Sequence, residues 1–181
     1  MLAADIPLPL CRAPVTPTQH PDLWEKIRRF ELDDPAAALC FTERLARENG
    51  WPLEYALRAG LEYKKFMFLL CLTELPLTPS DQVDQVWHLH LLYTRSYWLE
   101  FCQQVLGCDI HHGPTKGGEA ERDKFNDWYG RTKTLYQETF GAAPPPDIWP
   151  DNETRFRDEN FRRVNLSAFW LLPKFRFRRR T

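Results

Sequence analysis

Proline and glycine cut this chain into helix-length pieces, and that punctuation restricts the fold more than any other feature. Pro52–Glu74 carries Leu57, Leu61, Lys64, Lys65, Phe68 and Leu72 at spacings of three and four, and Leu75-Pro76 ends it. The spacing predicts one helix. Thr78-Pro79-Ser80-Asp81 opens the next, with Thr78 as N-cap and Asp81 at the third helical position. A single helix is expected from there to Leu106, closed by Gly107. Upstream, Pro21–Leu32 places Leu23, Ile27 and Phe30 near helical spacing. Asp34-Pro35 reads as an N-cap followed by a proline at the first helical position, leading through ALCFTERLAREN to a stop at Gly50. Glu119–Phe140 reads as a further amphipathic helix capped by Gly141, and AAPPPDIWP as a stiff, extended stretch. Neither an internal repeat nor a strong period-two strand occurs in the body. The expected fold is mainly α: a compact, bundle-like domain of four to five helices. Seven tryptophans give its core a heavy aromatic content.

Three parts are expected along the chain. Residues 1–20, with Pro7, Pro9, Pro14 and Pro17 and little periodicity, form an extended proline-rich arm. Residues 21–150 form the helical domain, and residues 151–181 a basic tail. The net charge is −1 over 181 residues, but it is unevenly placed. Residues 155–181 hold nine Lys and Arg against Asp158 and Glu159, a charge of +7 that leaves −8 for the rest. An acidic body with a basic end implies either an anionic partner or a tail folded onto the body. In the tail Phe169, Trp170, Phe175 and Phe177 are interleaved with Lys174, Arg176 and Arg178, and Phe175–Arg178 alternates with the period of a strand.

The five cysteines, Cys11, Cys40, Cys71, Cys102 and Cys108, are odd in number and form no CxxC pair. A disulfide framework or a four-cysteine zinc ribbon is not indicated, which favours a cytoplasmic protein. No run approaches the roughly 20 apolar residues of a spanning helix, so no transmembrane segment is expected. The N-terminal stretch lacks a basic start and breaks its apolar run with Pro7 and Pro9, unlike a signal peptide.

Chemistry concentrates in DQVDQVWHLHLLYTRSYWLEF, residues 81–101, and in the glycine-containing loop CDIHHGPTKGG that follows. Four of the five histidines fall between positions 88 and 112. At about 100° per residue, Asp84, His88, Arg95 and Cys102 share one side of a helix. Val83, Val86, Trp87, His90, Tyr93, Tyr97 and Phe101 occupy another. One regular helix cannot aim His88 and His90 at the same point, so either the helix is distorted or the two have different jobs. Asp84 and His88, one turn apart, suit a divalent metal such as Zn²⁺ or Fe²⁺. A third ligand would come from His111 or His112, leaving a coordination position open. Arg95 would hold a substrate carboxylate or phosphate, and His90 and Tyr97 would stand behind the ligands. The competing reading makes His90 a core histidine bonded to a tyrosine or a carbonyl, and lets Asp84 merely orient His88. No G-x-S-x-G, H-E-x-x-H or Walker-type motif is present.

The stretch Asp84-x-x-Trp87-His88-x-His90, then Tyr97, then a histidine in the next loop, preceded by Glu62-Tyr63-Lys64-Lys65-Phe66, resembles the glycine-rich domain-containing protein-like family. The resemblance covers roughly residues 20–150 and implies that the polar cluster is a site, without naming a reaction. The glycine-rich region itself is missing, with eight glycines in the whole chain. His88-x-His90 and His111-His112-Gly113 also resemble the clusters of HNH-type nucleases, whose fold needs a β-hairpin where this chain reads as helix.

Two functional expectations follow. In the first, Asp84, His88 and His111 or His112 hold a metal that activates water or polarises an oxygen ligand, as in a metal-dependent enzyme. In the second, the cluster is a polar network in a non-enzymatic protein- or nucleic-acid-interaction module, and the basic tail meets the partner.

Overall fold

The computed structural model describes residues 21–113 and 119–157, and beyond them residues 164, 165, 167, 168, 170 and 172. The proline-rich arm and most of the basic tail, including Phe175–Arg178, lie outside the described residues. Within them the chain is helical and without strands: α1 (Pro21–Arg29), α2 (Phe41–Asn49), α3 (Leu53–Leu72), α4 (Asp81–Leu92), a π-helix (Arg95–Leu106), α5 (Glu119–Phe140) and α6 (Asn152–Arg157). The mainly helical class agrees with the sequence, but these seven helices exceed the four to five expected. Two additions come from splitting the expected 81–106 helix and from the short α6. No described helix is long and apolar enough to cross a membrane.

The hub is α3, against which α1, α2, α4 and α5 pack. Its second half, YKKFMFLLCL, is apolar almost all round, as a helix surrounded by neighbours must be. Tyr63, Phe66, Met67, Phe68 and Leu69 are fully buried there. Ile27 of α1, Phe41 and Leu45 of α2, Val83 and Val86 of α4, and Tyr129 and Tyr136 of α5 close around them. The residues whose spacing marks this helix are only partly inside. Leu57 and Leu61 are exposed, and Ala56, Ala59 and Gly60 take the interior in the first half of α3. Small residues there let α2 and the turn before it approach closely, with Leu32 Cδ1 3.8 Å from where a Cβ on Gly60 would stand.

Two helix starts differ from expectation. Asp34-Pro35 does not open a helix. Asp34 closes a turn instead, its Oδ1 accepting from Ala36 N–H and its carbonyl from Ala37 N–H. α2 begins at Phe41, where Glu43 accepts from Cys40 N–H and Asp33 accepts from both Thr42 N–H and Thr42 Oγ1. Asp33 reaches across nine residues to serve the helix start, a non-local cap that no local motif announces. Likewise α4 is capped by Ser80, whose Oγ accepts from Val83 N–H at 3.2 Å. Thr78 is buried against α5, exchanging backbone hydrogen bonds with Thr132 Oγ1. The stops at Gly50, Gly107 and Gly141 fall where expected, each with positive φ.

The stretch after α5 is not extended. Pro145 C=O accepts from Ile148 and Trp149 N–H, and the turn drives both side chains into the core. Arg58 clamps it with a two-pronged ion pair to Asp147 at 2.8 and 2.9 Å. Trp149 Nε1 donates to Glu62 Oε2 at 2.9 Å, and Lys65 and Tyr136 serve Glu62 Oε1. A buried carboxylate on the hub helix thus ties α3 to α5 and to the C-terminal turn. In α6, at the start of the basic segment, Arg155 pairs with Asp81 at the head of α4, and Asn152 bonds to Asn126 of α5. Further on, Trp170 and Leu172 are exposed.

Candidate metal centre

α4 is regular from Asp81 to Leu92, so its two histidines point different ways, separated by about 200° around the axis. His90 is fully buried among the rings of Phe30, Phe41, Tyr63, Tyr97 and Phe101. Its Nδ1 lies 2.9 Å from Tyr63 Oη and its Nε2 3.1 Å from Ser96 Oγ. Burial pushes its pKa down to about 3, so it is a neutral core imidazole. His88, one turn after Asp84, faces outward with half of its side chain exposed.

α4 then stops. Tyr93 leaves helical geometry, with φ −88° and ψ 63°, and its N–H bonds back to His90 C=O. The chain restarts as the π-helix and returns through Gly107, in the left-handed region, to the loop 108–113. This return brings His112 onto α4. Its Nε2 stands 2.7 Å from Asp84 Oδ1, while Asp84 Oδ2 is 3.6 Å from His88 Nδ1. One ligand atom from each of Asp84, His88 and His112 can be chosen so that all lie within 4.8 Å of one another. The two imidazoles lie 4.4 Å apart between ring centroids. A carboxylate only accepts, so His112 Nε2 carries a proton in this arrangement. A bound metal would take that proton's place.

The donor set and its spacing fit a metal ion. Two imidazoles and a carboxylate suit Zn²⁺ and Fe²⁺. Metal–ligand bonds of about 2.0–2.2 Å require donors about 3–3.5 Å apart around a tetrahedral or octahedral centre. The observed 2.7 and 3.6 Å lie on either side of that range but use the two different oxygens of Asp84, and donors standing within 4.8 Å of one another would draw in by side-chain rotation to share one centre. Asp84 and His112 are mostly covered, with side chains 20% and 18% exposed against 50% for His88. The group therefore has a closed back and an open front.

Other residues anticipated from the sequence lie elsewhere. His111 is exposed and packs against Trp98, ring centroids 5.1 Å apart, outside the group of three. The Tyr97 hydroxyl donates to Ile110 C=O, the next side chain lies beside Trp98, and the following one reaches Asp84. Arg95 is 84% exposed and pairs with Glu100 at 3.3 Å. The helical line from His88 to Arg95 is broken at Tyr93, so their shared face on an ideal helix is lost. Tyr97 is buried and accepts from Trp87 Nε1 at 2.9 Å, while its hydroxyl donates to Ile110 C=O. Trp87 is core, and its ring lies edge-on to His112 with centroids 4.5 Å apart. A straight helix would carry Cys102 about 20 Å beyond His88. It instead lies buried beside Tyr97 and Ile110, and burial raises the pKa of its thiol. Ile110 itself carried no sequence signal, because its backbone rather than its side chain is used.

A family model described as UCP032817-like matches residues 60–127, a little over a third of the chain. That stretch holds most of α3, all of α4, the π-helix, the loop and the start of α5, and therefore Asp84, His88 and His112. The match corrects the resemblance drawn from the W-H-x-H stretch, since nothing found points to a glycine-rich domain-containing family. The motif behind that resemblance is a few positions of one helix, which any helix burying an aromatic beside an outward histidine can present. No curated protein and no solved structure matches the chain.

Proposed function

We propose that the protein binds one divalent transition-metal ion, Zn²⁺ or Fe²⁺, through Asp84, His88 and His112, and uses it as a centre open to an outside ligand. The observation carrying this reading is the convergence of three ligand atoms within 4.8 Å, from a helix and a loop 24 residues further on, His88 to His112. The competing reading, a polar lock between helix and loop, is disfavoured by exposure. An imidazole as open to water as His88 gains little from a carboxylate at 3.6 Å. Three protein ligands leave at least one coordination position unused, as in catalytic rather than structural sites. When bound, the metal would polarise an oxygen ligand or lower the pKa of water. Asp84 and His112 would hold it from the covered side and His88 from the exposed side. The reading extends to a metal-dependent enzyme through that open front.

Metal content after purification without added metal tests the proposal. About one equivalent of zinc or iron is expected, lost in both His88→Ala and His112→Ala and retained in His111→Ala. Absence of metal from the wild-type chain, together with no binding of added Zn²⁺ or anaerobic Fe²⁺ at micromolar concentration, would overturn it.

A further inference from the structure

We infer that Tyr97 is the positioning residue of this centre, setting His112 through the backbone of Ile110. The inference rests on the metal reading above. Asp84 and His88 need little support, because one turn of α4 fixes their separation. His112 is different: it comes from a stretch with no regular secondary structure, and a ligand on a loop is only as well placed as the contacts that hold the loop.

Those contacts come from one turn of the π-helix. The Tyr97 hydroxyl donates to Ile110 C=O, two residues before His112, and accepts from Trp87 Nε1. Trp87 adjoins His88 in the chain, and its ring packs on His112. One hydroxyl therefore joins the helix that supplies two ligands to the loop that supplies the third. Cys102 ties the start of the same loop to the helix, its C=O accepting from Cys108 N–H at 3.2 Å.

Residues 97 and 102 lie five apart. In an α-helix they would diverge by about 140°, but the i→i+5 winding of a π-helix brings them to the same side of the helix. The helix Arg95–Leu106 thus holds the loop at two points, Tyr97 on Ile110 C=O and Cys102 C=O on Cys108 N–H. Tyr97 and Cys102 are fully buried, so water cannot stand in for either.

Co²⁺ titration of the full chain tests the inference, following the visible absorption of the bound ion. Wild type is expected to bind one equivalent and His112→Ala none. Tyr97→Phe should keep its helical circular dichroism but bind Co²⁺ about 10- to 100-fold more weakly, the usual effect of losing a group behind a ligand. Tyr129→Phe is the control. It removes another buried tyrosine hydroxyl that donates to a backbone carbonyl, that of Pro150 at 2.8 Å. It should lower the melting temperature without moving the Co²⁺ affinity or spectrum. Equal affinity in Tyr97→Phe and wild type would overturn the inference and leave the metal reading standing. No binding by wild type would overturn both. If Tyr97→Phe does not fold, Trp87→Phe decides: it removes the N–H that orients the Tyr97 hydroxyl and keeps an aromatic ring. A several-fold loss of Co²⁺ affinity supports the inference, and wild-type affinity overturns it.

Discussion

Mild acid should destabilise this protein through His90, by an amount that can be worked out from its burial. In the folded chain the imidazole is surrounded by five aromatic rings and bonded to Tyr63 and Ser96, with a pKa of about 3. In the unfolded chain it returns to about 6.5. The folded pKa is the lower one, so between these values the unfolded state binds the extra proton, and stability is lost as pH falls. The contribution is fully present above about pH 6.5 and declines at about 1.4 kcal/mol per unit below it, down to about pH 3. Between pH 7 and pH 5 the loss is about 2 kcal/mol. That figure depends almost wholly on the unfolded value. A folded pKa of about 4 instead of 3 would change it by only about 0.05 kcal/mol. For a chain of this size, about 2 kcal/mol corresponds to roughly 4–8 °C in melting temperature. The assay is urea denaturation at pH 7, 6 and 5 in the presence of a chelator, for wild type and His90→Gln. Glutamine leaves an amide between Tyr63 and Ser96 but no titrating group. Subtracting the two pH dependences cancels every other ionisable group they share, and the difference should be about 2 kcal/mol. Identical slopes would refute the reasoning, as would His90 ring resonances that titrate between pH 7 and 5 in the folded protein.

Two further substitutions probe the frame around the site. Trp87→Ala removes a buried ring and the donor to Tyr97, and should cost about 3–5 kcal/mol in chemical denaturation; a loss below about 1 kcal/mol would mean the ring is not part of the core. Glu62→Leu leaves Trp149 Nε1 without its acceptor and Lys65 without its carboxylate inside the protein, and should cost about 3–5 kcal/mol. Glu62→Gln, which keeps an acceptor oxygen, should cost clearly less, and equal losses in the two variants would show that the hydrogen bonds to Glu62 do not matter.

The features legible in the sequence are the ones that local chemistry decides. Gly50, Gly107 and Gly141 end helices because a left-handed residue closes the last turn and glycine adopts it without strain. The bounds of α5 and the opposite aims of His88 and His90 follow from helical period alone. What could not be read depends on partners distant in the chain. Asp33 caps α2 from nine residues away, and Thr78 is held against α5 through its backbone by Thr132, so that Ser80 caps α4 instead. Leu57 and Leu61 match the helical period as well as Ala56 and Gly60 do, and only the close approach of α2 decides which pair faces inward. The turn at Pro145 was hidden for a related reason, because consecutive prolines favour extension until a core takes up the residues that follow.

The break at Tyr93 is the most instructive of these, because the site depends on it. Had the helix run on from Asp81 to Leu106 it would span about 40 Å, at a rise of about 1.5 Å per residue. Gly107 and the histidine loop would then lie at the far end of a rod. The sequence around the break contains neither proline nor glycine, and Leu91-Leu92-Tyr93-Thr94 favours helix as much as its neighbours do. What stops α4 is burial on both sides. His90 bonds forward to Ser96, and Tyr97 bonds back to Trp87. Phe101 packs on Phe30 and on the His90 ring. On a straight helix, residues 90 and 96 are six apart and 87 and 97 ten apart, separations of roughly 9 and roughly 15 Å along the axis. Neither pair could meet without a fold in the chain. These contacts therefore require the break and the reversal that brings His112 back to Asp84. The same residues that make α4 look continuous in sequence, an aromatic or polar side chain at every turn, are the ones that fold it back on itself.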